Sequence, residues 1–128
     1  MEDKFIFIPQ QLATDIPDIL ASCDAAFLSF AEDDLWKKTI PAKLQSYMAC
    51  GMPIIAVAEG ETARIIYESC CGIVTSDGAE SLANLIIDAL RQFDMLRDMS
   101  MCAFDYSQKQ FAKSKLIDYM DNIITTYR

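Results

Sequence analysis

The stretch "IPAKLQSYMACGMPIIA" (residues 40–56) decides the fold. Pro41 opens a helical pattern, because its ring presets φ and its missing N–H is not needed in a first turn. Gly51 closes the pattern as a left-handed C-terminal residue. Pro53 then leads into "PIIAVA" (residues 53–58), an apolar run that reads as a buried strand. Lys43 sits in the first turn, where it opposes the helix dipole at a cost of a few tenths of a kcal/mol. A cation at that point raises the question of an anion, since a helix N-terminus with free amides suits one.

Working outward, strands and helices alternate. "FIFI" (residues 5–8) reads as a short buried strand ended by Pro9, and "DIPDILASC" as a short helix with Pro17 in its first turn. "AAFLSF" (residues 25–30) reads as a second strand and "AEDDLWKKT" as a polar loop. After the Pro41 helix and the third strand comes the helix "TARIIYESC", capped by Gly72, then the strand "GIVT". In the helix "DGAESLANLIIDALRQF", Leu82, Leu85, Ile86, Ala89, Leu90 and Phe93 form one stripe. The remainder is helical, with Phe111, Leu116, Tyr119, Met120, Ile123 and Ile124 at helical spacing. Continuously apolar strands alternating with amphipathic helices predict an α/β domain: a Rossmann-like parallel sheet of about four strands with helices on both faces. Ligands in such sheets sit at the carboxyl ends of the strands, which is where "AEDDLWKKT" falls.

Composition narrows the chemistry. The 128 residues are one domain by length, and 52% apolar residues suffice for a core. No apolar run approaches the roughly 20 residues that span a bilayer, and "MEDKFIFIPQ" lacks the basic start of a secretion signal. A net charge of −8 argues against nucleic acid and against contact with an anionic membrane. Cys23, Cys50, Cys70, Cys71 and Cys102 lack paired CxxC spacing, so they read as reduced, buried small apolar side chains of a cytoplasmic protein, with no metal site. Histidine is absent, which removes the commonest general base and the usual serine or cysteine nucleophile pairs. Lys37, Lys38 and Lys43 cluster around one helix start. They either balance Glu32, Asp33 and Asp34 just upstream or await a phosphate.

Read together, "PAKLQSYMACGMPIIAVAEGETARIIYESCCGIVTSDGAESLANLIIDAL" resembles the nucleotide-sugar-binding, C-terminal half of a retaining GT-B glycosyltransferase of the group 1 type. That family builds bacterial lipopolysaccharide and capsule. Pro41, Lys43, Leu44, Tyr47, Met48, Ala49, Cys50, Gly51 and Pro53 stand where the family runs proline, lysine, leucine, tyrosine, methionine, alanine, cysteine, glycine and proline. Asp24 stands at the aspartate that opens the preceding strand, and the resemblance covers roughly residues 5 to 93. It implies that Thr39, Ile40, Pro41, Ala42, Lys43 and Leu44 contact the diphosphate of a UDP- or GDP-type sugar. Pro9 and Gln10 would lie near the base, and Glu59 and Glu61 could face the donor sugar. No cofactor is implied.

Two departures qualify the resemblance. The family's glutamate that usually accepts from the ribose falls on Ser46, and its companion glutamate eight positions earlier falls on Lys38; serine bonds a hydroxyl more weakly than a carboxylate does. The family's further strands and its N-terminal acceptor domain have no counterpart in this sequence. The chain is therefore expected to be part of a domain, inactive alone, whose missing partner is that acceptor domain, and whose open sheet edge invites homodimerisation or strand exchange. The alternative is a protein-interaction or degenerate binding domain that keeps the fold without the donor site. Trp36 is expected to pack over the Pro41 helix. The methionines are expected to fill the core, and the last helix either crosses to another domain or covers the sheet.

Overall fold

A computed structural model describes residues 4–30 and 34–126. Its elements run α1 (Ile16–Ala21), β1 (Ala26–Ser29), α2 (Asp34–Lys37), α3 (Ala42–Ala49), β2 (Ile54–Val57), α4 (Gly60–Ser69), β3 (Gly72–Thr75), α5 (Gly78–Arg91), α6 (Phe93–Gln110) and α7 (Lys113–Thr126). The three strands form a parallel sheet in the order β1-β2-β3, with Ala26 beside Ile54 and Ile54 beside Gly72. Right-handed crossovers place α3 and α4 on one face of it. The fold is thus the expected Rossmann-like α/β architecture, with three strands among the described residues where about four were expected.

The core follows from the apolar strands. Leu28, Ile54, Ala56 and Val74 meet Leu44 and Met48 of α3, Ile65 and Ile66 of α4, Cys71, and Ala103 of α6. Leu44 and Met48 are fully buried, which stabilises by about 1.5–3 kcal/mol for each such side chain. α6 packs on α3 and also touches α4, α5 and β3, so one long helix closes the core.

Several expectations need correction. Residues 5–8 form no strand: Phe5, Ile6, Phe7 and Ile8 are 63%, 88%, 92% and 55% exposed. An apolar run becomes a strand only where a neighbouring strand takes its hydrogen bonds, and none lies beside it among the described residues. Within the expected polar loop, residues 31–33 lie outside the described residues, while Asp34 to Lys37 wind into a helical turn closed by an i,i+3 ion pair. The cap of α4 is Cys70, in the left-handed region at φ 55, not Gly72. Gly72 instead opens β3, because a Cβ there would lie 2.0 Å from the Ile54 carbonyl oxygen of β2.

The tail is two helices joined near Phe111. Leu116, Tyr119, Met120, Ile123 and Ile124 of α7 are exposed, so this helix does not cover the sheet. The α5 stripe is only partly interior: Ala89 is buried, Leu82, Leu85 and Ile86 are half-buried, and Leu90 and Phe93 face out. Of the cysteines only Cys71 is buried; Cys23, Cys50 and Cys70 are exposed and Cys102 is half-buried. Met48 and Met52 fill the core, but Met101 and Met120 are exposed. Trp36 stacks on Phe30, ring centroids 5.5 Å apart.

Gly72→Ala is expected to lower unfolding stability by about 1–3 kcal/mol through forced displacement of β2, read from urea denaturation. An unchanged midpoint would contradict the close approach.

Candidate functional site

At the carboxyl ends of the strands, the chain leaves β1 at Ser29 and reaches α3 through α2 and the turn at residues 38–41. Local hydrogen bonds fix that turn. Lys38 N donates to Leu35 O (3.2 Å) and Thr39 N to Trp36 O (3.4 Å). The Thr39 hydroxyl donates back to Leu35 O (3.2 Å).

Three contacts then seat α2 and the turn on the start of α4. Gly60, at φ 64, lies so close to the end of α2 that a Cβ would sit 2.0 Å from Lys37 O. Only glycine combines that φ with that proximity. Lys37 Nζ pairs with Glu59 at 2.9 Å. Buried Thr62 donates its hydroxyl to Thr39 O at 3.4 Å.

The start of α3 is thereby presented with unspent donors. Pro41, at its N-cap, offers no side-chain hydrogen bond and no N–H. Leu44 N donates to Pro41 O at 3.0 Å, and Thr39 N is spent on α2. Among the described residues the amides of Ile40, Ala42 and Lys43 have no partner. Exposed Lys38 and Lys43 likewise make no ion pair among those residues. Three donors and two ammonium groups around one helix start form an anion-favouring arrangement.

The other sequence-derived positions are more engaged. The Ser46 hydroxyl is exposed and donates to Ala42 O at 3.0 Å, which leaves its oxygen able to accept. Glu59 is held by Lys37, whose pKa is raised chiefly by the hydrogen bond to Glu59 and then by Asp34. Lys37 therefore meets the balancing role expected of the cluster, through Asp34 and through Glu59. Glu61 is bound by Arg64 at 2.7 Å, and that hydrogen bond holds its carboxyl below the usual range. The small stabilisation from this exposed pair is present at neutral pH and disappears as pH falls through the depressed folded value. Pro9 and Gln10 are exposed; Pro9 O accepts from Gln11 Nε2 at 2.9 Å. No hydrogen bond among the described residues links either to α3.

Gly60 and Thr62 escaped the reading of the sequence, because "EGET" looks like a loop running into a helix. The glycine two residues before the helix expected from Thr62 was the available signal. A separate shallow pocket of about 290 Å³ lies at the opposite, amino end of the sheet, where Asp24, Cys50, Gly51, Phe93, Arg97 and Ser100 meet. It includes none of the site residues above. Among the described residues no group of three His, Cys, Asp or Glu side chains gathers to hold a metal, and no helix is long and apolar enough to cross a membrane.

The family model described as "Glycosyl transferases group 1" matches residues 1–104. The chain belongs to the group 1 glycosyl transferases. No curated protein and no solved structure matches it.

Thr62→Val keeps the volume but removes the hydroxyl that holds Thr39. A loss of about 1 kcal/mol is expected, with faster hydrogen exchange at the Thr39 and Lys38 amides. Unchanged exchange there would show that the turn does not depend on this contact.

Proposed function

We propose that this chain is the nucleotide-sugar-binding part of a glycosyltransferase, and that the start of α3 receives the donor's diphosphate. The observation that carries the reading is the set of amides at Ile40, Ala42 and Lys43 without a partner among the described residues, beside the Lys38 and Lys43 ammonium groups. In glycosyl transfer the diphosphate leaves, so negative charge grows on its oxygens as the bond to the sugar lengthens. Donors already fixed by the rigid turn stabilise that charge without reorganising. Chemistry of this kind needs positioning more than a protein nucleophile, which suits a chain without histidine. The family resemblance supports retention at the sugar carbon and a role in bacterial surface polysaccharide synthesis.

The ribose end is weaker. The Ser46 oxygen accepts one hydroxyl where the family uses a carboxylate. Glu59 and Glu61 keep free acceptor lone pairs beyond their cations and are the candidates for sugar hydroxyls. UDP and GDP are the ligands to try, and a donor affinity below that of glutamate-bearing relatives is expected. The second reading, an interaction domain without a donor site, draws on the same substitution at Ser46 and Lys38.

Titration with UDP and GDP, followed by amide NMR, separates the two. Shifts are expected at Ile40, Ala42 and Lys43, and Lys43→Ala should weaken binding about tenfold, as for one hydrogen bond to a charged group. Silence at those amides with either nucleotide rejects the donor site and leaves the interaction domain.

A further inference from the structure

The two outer strands of the sheet are not equivalent. Ala26 N donates to Pro53 O toward β2. By the alternation of a parallel ladder, Phe27 and Ser29 turn their N–H and C=O groups to the outer side. No strand lies there among the described residues. On the far edge, by contrast, Val74 O is covered by the Tyr67 hydroxyl at 3.4 Å. β1 also lacks the usual protection of an exposed edge: its sequence "AFLS" carries no charge and no proline, and Phe27 is 52% exposed.

The same chain carries an unpaired segment suited to that edge. Residues 5–8 alternate two phenylalanines with two isoleucines, both strongly strand-favouring types. Their side chains stand in solvent, and no backbone hydrogen bond of theirs occurs among the described residues. Pro9 follows immediately, which would end a strand at that point.

We propose that two copies of this chain associate by strand addition, residues 5–8 of each pairing with the free edge of β1 in the other. The exchange is isologous, so one contact is made twice and closes into a dimer. Taking large apolar residues at about 200 Å² each, residues 5–8 expose on the order of 600 Å² per copy, and the surfaces that receive them bury a comparable area. The total, at most roughly 2,400 Å² if all of it is covered, reaches the size of stable interfaces even when a third stays exposed. The dimer also pairs the Phe27 and Ser29 backbone groups and shields Phe27.

Sedimentation equilibrium of the whole chain tests this, joined to hydrogen exchange. A dimer is expected at micromolar concentration, with the Phe27 and Ser29 amides more protected as concentration rises. Ile6→Lys with Phe7→Lys, at positions 88% and 92% exposed, should give a folded monomer with the same α-helical content. Phe27→Lys should do likewise. Met120→Lys on α7 should leave the dimer intact. A monomer for the natural chain overturns the proposal, whether or not residues 5–8 are protected within it. So does a dimer that survives the changes at residues 6 and 7, or one that Met120→Lys alone dissolves.

Discussion

The approach of the Lys37 carbonyl to Gly60 is the constraint on which the candidate site depends. Where a side chain would begin, α4 has bare Cα, and the end of α2 fills that space. Once α2 is seated there, Thr39 is tied between the α2 carbonyls and the Thr62 hydroxyl, and the chain enters α3 in one direction. Pro41 adds its own fixed φ. That the amides of Ile40, Ala42 and Lys43 have no partner among the described residues is thus a product of backbone packing. The lysines add charge to a geometry already made.

The same helix serves two ends. Its inner face places Leu44 and Met48 in the most deeply buried part of the core, against β2 and α6. Its outer face and first turn carry Lys43 and Ser46 in solvent. The first turn of α3 is therefore held rigid by the hydrophobic core on its other face, so its donors need little ordering.

Much of this was legible in the residues. Continuous apolar runs at "AAFLSF", "PIIAVA" and "GIVT" became the three strands, and Pro41 and Gly51 bracketed α3 as their backbone preferences require. Several failures share one cause: they concern partners distant in sequence. "FIFI" has the composition of a strand, but pairing is a property of two segments. Gly72 looked like a helix terminator, yet its smallness serves the neighbouring strand. Cys70 adopts the left-handed cap conformation that glycine usually takes, so no residue-type rule would have marked it. Lys37 balances Asp34 as its position suggests, and only the fold adds Glu59 as its second partner. Of the positions read from the resemblance, Ile40, Ala42 and Lys43 have amides without a partner among the described residues, and no hydrogen bond among those residues joins Pro9 or Gln10 to them.

The last helix has a different standing from the rest. α7 buries none of its residues and packs chiefly on α6. Its persistence then rests on its own helix–coil balance, which for 14 residues in water is marginal. Such a segment is expected to open while the sheet and α3 stay intact, as a unit of lower stability. A protease would find it first, and its removal would leave the turn before α3 untouched.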